Sequence, residues 1–423
     1  MRRRPWIWIV GGTLLVVLAC GGFYLSRQVG DPTRWPREVE AWNLRHALPE
    51  EDNAEPVYAR LAGLHGTSPP WRWGASKDWS LTDPMLPSVE GQEENLRLLA
   101  EASRKPACFQ RFHPELPINR QPVVHLNRIQ QGANLLALDA RRKAGEGRRD
   151  EALDSLMTEA RIGFQLRQTL IDQLVGNAVR NMAWPCLERL TMDSPPSIDA
   201  LERAAREIGE MAARRPSIQE TLDTERLVGF GMLESSYTPA GFAKLAAERA
   251  QDSGRSGPAW HESGPLPWAR EACLHPLRRT REELEETYRL LSKGSLTKAD
   301  KDRLDRISQG SLLLGETAQA FMKTRESTQR ELACERGTRI LLRLRAHRLR
   351  KGAYPETLAG LGRALPDDPY TGKPFVYRRL EGDKFLLYST GPDGKDDGGA
   401  TDSRDFPLFP KGADMLFGRP PQP

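Results

Sequence analysis

Ile129-Gln-Gln-Gly-Ala133-Asn-Leu-Leu136-Ala-Leu-Asp-Ala140 is followed, across Gly145-Glu-Gly147, by Leu153-Asp-Ser-Leu156-Met-Thr-Glu-Ala160-Arg-Ile-Gly-Phe164. In both runs apolar side chains recur three or four positions apart, which places them on one face of a helix. The glycines between the runs interrupt that period. The spacing therefore predicts two consecutive helices folded back on a shared apolar seam. Working outward, Leu174, Ala178 and Met182 predict a third helix that stops at Pro185, because an interior proline forfeits a backbone hydrogen bond. Ser197 is placed to cap a helix over 197–213, and another is expected over about 216–233. Upstream, Asp52-Asn53 stands ready to cap a helix carrying Val57, Leu61 and Leu64. Downstream, Leu277, Leu284, Tyr288 and Leu291 share one face, with Gly294-Ser295 as a stop. A long helix over about 314–350 turns Ala333, Gly337, Leu341 and Leu344 inward. Between 234 and 267 glycine and proline punctuate the chain, predicting a loop with one short helix at Phe242–Ala250.

The Gly147-Arg-Arg-Asp-Glu-Ala152-Leu153 junction resembles the turn of a tetratricopeptide-type helical hairpin. It occurs once, and Lys143 occupies the expected earlier aromatic position, so the reading is a single αα-hairpin and not a repeat array. With 423 residues the chain has room for two or three domains. Charged residues make up 28% and the hydrophobic set 39%, a balance unlike that of a many-span membrane protein. The net charge is +5, and beyond Arg2, Arg3 and Arg4 the basic residues alternate with acids. No contiguous basic block suggests a nucleic-acid footprint, so nucleic acid is not an expected partner.

Trp6 to Leu25 is twenty residues without a charge. A helix of that length spans about 30 Å, the thickness of a bilayer core. The preceding arginines are a positive-inside signal, and Trp6, Trp8 and Tyr24 lie where aromatic rings favour the interface. Residues 1–30 are accordingly expected to be a transmembrane anchor or signal segment, with the bulk of the chain beyond the inner membrane. Val17-Leu18-Ala19-Cys20 offers a lipoprotein alternative, and cleavage after a small residue another. Export makes two disulfides among Cys108, Cys186, Cys273 and Cys334 an open reading, beside four small buried apolar side chains.

The period changes near the end. Phe375-Val-Tyr-Arg-Arg-Leu380 and Lys384-Phe-Leu-Leu-Tyr-Ser389 are strand-like runs joined by Glu381-Gly382-Asp383, a hairpin signature. Before them, Tyr354-Pro355-Glu-Thr-Leu358-Ala-Gly-Leu361 puts proline where a short helix begins. Asp368-Pro369-Tyr370-Thr371-Gly372 reads as a tight turn. Together with Leu387-Tyr388-Ser389-Thr-Gly391-Pro392-Asp393-Gly394, this order resembles the soluble end of type II secretion pseudopilins. The match covers about 351–405; Arg4-Pro5 leads straight into the apolar run, where prepilin processing uses a different junction. The whole chain also resembles membrane-anchored bacterial proteins of undefined role. The expected fold is mainly α: a transmembrane helix, a helical body over 31–333, and a small α+β domain with an antiparallel sheet over 334–423.

Five aspartates (393, 396, 397, 402 and 405) interleave with Gly394, Gly398 and Gly399. Hard oxygens on a glycine-permitted loop suit Ca²⁺, although Lys395 and Arg404 occupy positions where an EF-hand has acids. The pseudopilin resemblance implies Asp393, Asp402 and Asp405 as side-chain ligands, with carbonyls near Leu387 and Ser389; a solvated turn without an ion is the other reading. Trp71, Trp73 and Trp79 form either a partner or sugar surface or the cover of a core. No nucleophile elbow, phosphate loop, dinucleotide fingerprint or His-Glu-x-x-His is present, and His261-Glu262 runs into Ser263-Gly264-Pro265. The expected role is structural or interaction-based in the cell envelope, beside secretion or pilus machinery. The alternative is an envelope hydrolase whose site in the helical body would unite His125 or His46 with carboxylates.

Overall fold

The computed structural model describes residues 23–31, 34–64, 89–114, 124–215, 218–252, 265–293, 296–310, 315–362, 364–399 and 414–418. The chain is mainly helical, with a small three-stranded antiparallel sheet near its C-terminal end. In chain order the elements are α1 (Arg34–His46), α2 (Glu55–Ala59), α3 (Glu93–Ser103), α4 (Val124–Gly145), α5 (Arg149–Gln165), α6 (Leu170–Asp193) and α7 (Ile198–Ala213). There follow α8 (Ile218–Ser236), α9 (Pro239–Asp252), α10 (Pro265–Leu274), α11 (Leu277–Leu291), α12 (Lys298–Gly310) and α13 (Gly315–Lys351). The strands are β1 (Val376–Leu380), β2 (Lys384–Ser389) and β3 (Met415–Phe417). No helix among the described residues is long and apolar enough to cross a membrane. The expected anchor falls mostly on residues 1–22, outside the described residues, as do Cys20, Trp71, Trp73 and Trp79.

The chain forms two compact units, each assembled from separated segments. The first comprises Met1–Ala47, Arg111–Gln121 and Ile218–Phe321. Trp35, Val39 and Trp42 lie on the buried face of α1, and Trp42 meets Phe112 with ring centroids 5.0 Å apart. Asn43 locks that contact by exchanging two hydrogen bonds with the Phe112 backbone. On α8, Gly231 lets the Trp35 indole approach so closely that a Cβ would lie 2.4 Å from the ring. Glu234 is buried and accepts from the Asp31 amide, Arg34 and Arg281.

The second unit comprises Leu48–Gln110, Pro122–Ser217 and Met322–Pro423. The expected hairpin is there: α4 and α5 pack along their seam, with Ile129, Ala133, Ala140, Leu153, Leu156 and Ala160 essentially buried. Gly147 takes φ +79° in the turn, a region that costs other residues strain. Where α5 crosses α6, a Cβ on Gly163 would lie 2.9 Å from the Gly176 carbonyl oxygen and 2.6 Å from Arg180 Cγ. Only hydrogen at these two positions permits so short a separation of the backbones.

Several boundaries differ from the sequence reading, each for a physical reason. Helix α6 continues through Pro185 to Asp193. Ala183, Trp184, Cys186, Leu187 and Leu190 are all buried around the proline, so packing on both sides outweighs the lost backbone bond. The stretch 234–252 is largely helical; Thr238 accepts from the Gly241 amide at the start of α9, and Pro239 takes the first helical position. Helix α2 ends at Ala59, and Leu61 and Leu64 are buried beyond it. Pro355 does not open a helix: the short 3₁₀ turn starts at Leu358, and the Pro355 carbonyl accepts from the Tyr377 hydroxyl.

In the sheet, β2 is central, pairing β1 through Tyr377↔Leu387 and β3 through Leu387↔Phe417. Phe385, Leu387, Met415 and Phe417 are buried, and the Phe417 ring occupies the space above Gly337 on α13. Tyr354 lies 4.7 Å from the Phe385 ring, centroid to centroid. The Asp368–Gly372 turn closes as expected, with Gly372 at φ +67° donating to the Asp368 carbonyl. Its Asp368 carboxylate is buried and accepts from Ser389 Oγ at 2.9 Å.

Candidate functional site

The second unit contains a groove of about 970 Å³. Its floor is the face of α5 that carries Ser155, Thr158, Arg161, Phe164 and Gln165. Leu136, Asp139 and Lys143 of α4 form one wall, with Arg104 and Lys105 beyond the end of α3. Arg203, Arg206, Glu207, Glu210 and Arg214, on and just after α7, form the other. Nine basic and four acidic side chains line it, so the groove attracts anions.

Most of these charges are already engaged. Asp139 is buried, accepts from Arg142, and lies 2.7 Å from Lys143 Nζ. Ser155 Oγ donates to Asp139 at 2.8 Å and accepts from Lys143 at 2.9 Å. Burial alone would push the Asp139 carboxyl up, but the Arg142 and Lys143 donors outweigh it and hold the carboxyl below its ordinary value. Lys143 Nζ donates to the Ser155 hydroxyl and pairs with Asp139, so the trio ties α4 to α5 and leaves the serine facing a donor where a base would have to accept. Arg161 is bidentate to Glu207, and Arg203 reaches Asp154 at 4.0 Å. Lys105 donates to the carbonyls of Glu50 and Glu51. Arg104, Arg206, Glu210 and Arg214 are exposed and make no side-chain ion pair among the described residues.

Under the floor lies a buried ion network. Glu331 of α13 is fully buried and receives Arg180 Nε at 2.7 Å, Arg215 Nη1 at 2.6 Å and the Trp184 indole N–H at 3.4 Å. Burial opposes its charge, but the two guanidiniums prevail and hold its carboxyl at about 2. Both guanidiniums also lie against the Phe164 ring, at 4.5 and 5.3 Å from its centroid. Next along α13, Glu335 is pushed up to about 7 by burial and then by the charge of Glu331, with Arg215 and Arg339 opposing.

A different carboxyl sits within the hairpin. Glu159 is fully buried, and neither of its oxygens has a hydrogen-bond partner among the described residues. Burial drives its pKa well above the ordinary value, with Arg141 opposing, so it folds as a neutral acid. Cys186 is beside it, its thiol pushed up to about 12 chiefly by burial. Cys108, Cys186, Cys273 and Cys334 are all free thiols, and only Cys273 is exposed.

The acids expected to hold calcium fare unequally. Asp393 is exposed, with its Oδ1 accepting from the Lys395 amide, while Asp402 and Asp405 lie outside the described residues. The fold brings in a residue that sequence reading passed over. Asp414 is 1% exposed; its Oδ2 accepts from the Gly399 amide, and its Oδ1 is buried without a hydrogen-bond partner among the described residues. Burial raises its pKa, the Gly399 amide opposes that rise, and the neighbouring charges of Asp396 and Asp397 add to it. Among the described residues no three histidine, cysteine or acidic side chains gather as a metal site.

Of the two candidate histidines, His46 stacks on Trp42 at 4.3 Å and places Nδ1 2.8 Å from the Trp42 carbonyl oxygen. The His125 side chain lies outside what is described. The groove itself escaped the sequence reading because its cations come from four separated segments. One local signal was present: Arg203, Arg206, Glu207, Glu210 and Arg214 recur on a single helical face. No protein-family model, curated protein or solved structure matches the chain.

Proposed function

We propose that this is a membrane-anchored docking protein of the cell envelope. The N-terminal segment tethers it to the inner membrane, the remainder lies on the extracytoplasmic side, and the groove of the second unit engages a protein partner. The observation that carries this reading is the groove: a charged concavity on a helical framework whose buried polar groups serve packing. Pre-ordered walls lower the entropic cost of association. The small sheet unit, by its likeness to pseudopilins, points to secretion or pilus machinery as the setting. Its acidic turn is proposed to take Ca²⁺, with the orphaned oxygen of Asp414 as a ligand beside the aspartates of the turn.

Cell fractionation and in-cell photo-crosslinking test the reading. A photoreactive residue introduced at position 207 should yield a discrete protein adduct from the inner-membrane fraction, and Arg206→Glu/Arg214→Glu should abolish it. Recovery of the protein in the soluble fraction, or an adduct indifferent to both substitutions, would overturn the proposal. Loss of the adduct on deleting residues 351–423 would tie the groove's partner to the C-terminal region.

A further inference from the structure

Once the internal ion pairs of the groove are set aside, α7 and its C-terminal cap keep three exposed charges in a row that make no ion pair among the described residues: Arg206, Glu210 and Arg214. They are four residues apart in turn, so they share a face of the helix. At 1.5 Å per residue the two guanidinium-bearing positions are about 12 Å apart, with the carboxylate midway. The pattern reads plus, minus, plus.

We infer that the groove takes an extended acidic peptide with two carboxylates four residues apart and a basic or neutral residue midway between them. The inference rests on the docking reading above. In an extended strand, side chains two apart share a face, and positions i and i+4 are separated by about 13 Å, which matches the Arg206–Arg214 spacing. The residue at i+2 then faces Glu210, which repels an acid and attracts a lysine. A helical ligand is the poorer fit, because helix-in-groove docking draws on a continuous apolar stripe. Here Leu136, Phe164 and Met211 are interrupted by charged side chains. Nucleic acid is poorer still: its evenly spaced phosphates would set one against Glu210, and Phe164, the groove's aromatic, already carries Arg180 and Arg215 against its ring.

Fluorescence anisotropy with short labelled peptides on the purified full chain is the test. A probe with the core Glu-Ala-Lys-Ala-Glu should bind more tightly than one with Glu-Ala-Glu-Ala-Glu, by about three- to ten-fold, the scale of one or two exposed charge pairs. Arg206→Glu/Arg214→Glu should cut binding of the first probe by about ten-fold or more, and raising the salt should weaken it. Glu210→Lys should invert the preference between the two probes. All three positions are exposed, so the variants should keep the parent melting temperature. Equal affinity for the two probes, no inversion with Glu210→Lys, or tighter binding of a single-stranded oligonucleotide would overturn the peptide assignment. If that happens while the in-cell adduct still depends on Arg206 and Arg214, only the ligand class falls. If the adduct is also indifferent to them, the docking reading falls with it.

Discussion

Two neighbourhoods of the second unit bury a glutamate completely, and they treat it in opposite ways. Beneath the groove, Glu331 is met by Arg180, Arg215 and the Trp184 indole, and it stays ionised. Inside the hairpin, Glu159 has no hydrogen-bond partner among the described residues and stays protonated. The environment of a buried carboxyl thus decides whether it behaves as a charge or as a polar spacer. The cost of removing it changes accordingly.

The largest expected effect breaks the matched site. Glu331→Ala leaves two guanidiniums buried without their counter-ion, and urea denaturation should show a loss of about 3–5 kcal/mol. Replacing Arg180, Arg215 and Glu331 together with apolar residues should recover much of that loss, which would show that the penalty lies in the unpaired charges. Gly163→Ala attacks the same neighbourhood sterically, because its Cβ would meet Arg180 Cγ and the Gly176 carbonyl. A loss of about 1–3 kcal/mol is expected in the same assay.

The unmatched site is probed through pH. Because the folded pKa of Glu159 is raised above its unfolded value, folding takes up a proton in the window between them. Its contribution is fully present below the unfolded pKa and is lost as pH rises through the folded one. The wild type should therefore lose about 1.4 kcal/mol per pH unit across that window, relative to Glu159→Gln. Parallel stability curves for the two proteins as pH rises above the ordinary carboxyl range would show that Glu159 is not the neutral acid described. Asp414 is the intermediate case, with one oxygen matched and one not. Millimolar Ca²⁺ should raise the melting temperature by about 2 °C, the smallest effect expected. Asp414→Asn should abolish the rise, and no change in the wild type with Ca²⁺ or chelator would end the calcium proposal.

How much of this was legible depends on the range over which each feature is encoded. The hairpin, the Ser197 cap and the β1–β2 pairing are local, set by periodicity, caps and turns, and they could be read directly. Pro185 misled because its effect depends on distant packing partners that a local rule does not see. The strand β3 adds only three residues to the sheet and follows a long acidic and proline-containing stretch, so no period announced it. The groove was the least legible feature. Lys105, Lys143, Arg161 and Arg206 are unremarkable in sequence, each near acids, and become one surface only when α4, α5 and α7 pack. The same holds for Glu331 and Arg180, separated by 151 residues and joined by one ion pair.

The strand β3 also has a consequence for the order of synthesis. Met415–Phe417 closes the open edge of β2 and sets the Phe417 ring over Gly337, and it is the last described element to leave the ribosome. Until it emerges, β2 keeps a bare hydrogen-bonding edge and α13 an uncovered apolar face, the combination that invites strand addition from another chain. A nascent or proteolytically shortened molecule ending before Met415 is therefore a sticky one. The cell's exposure to that species lasts as long as translation takes to pass from Ser389 to Met415.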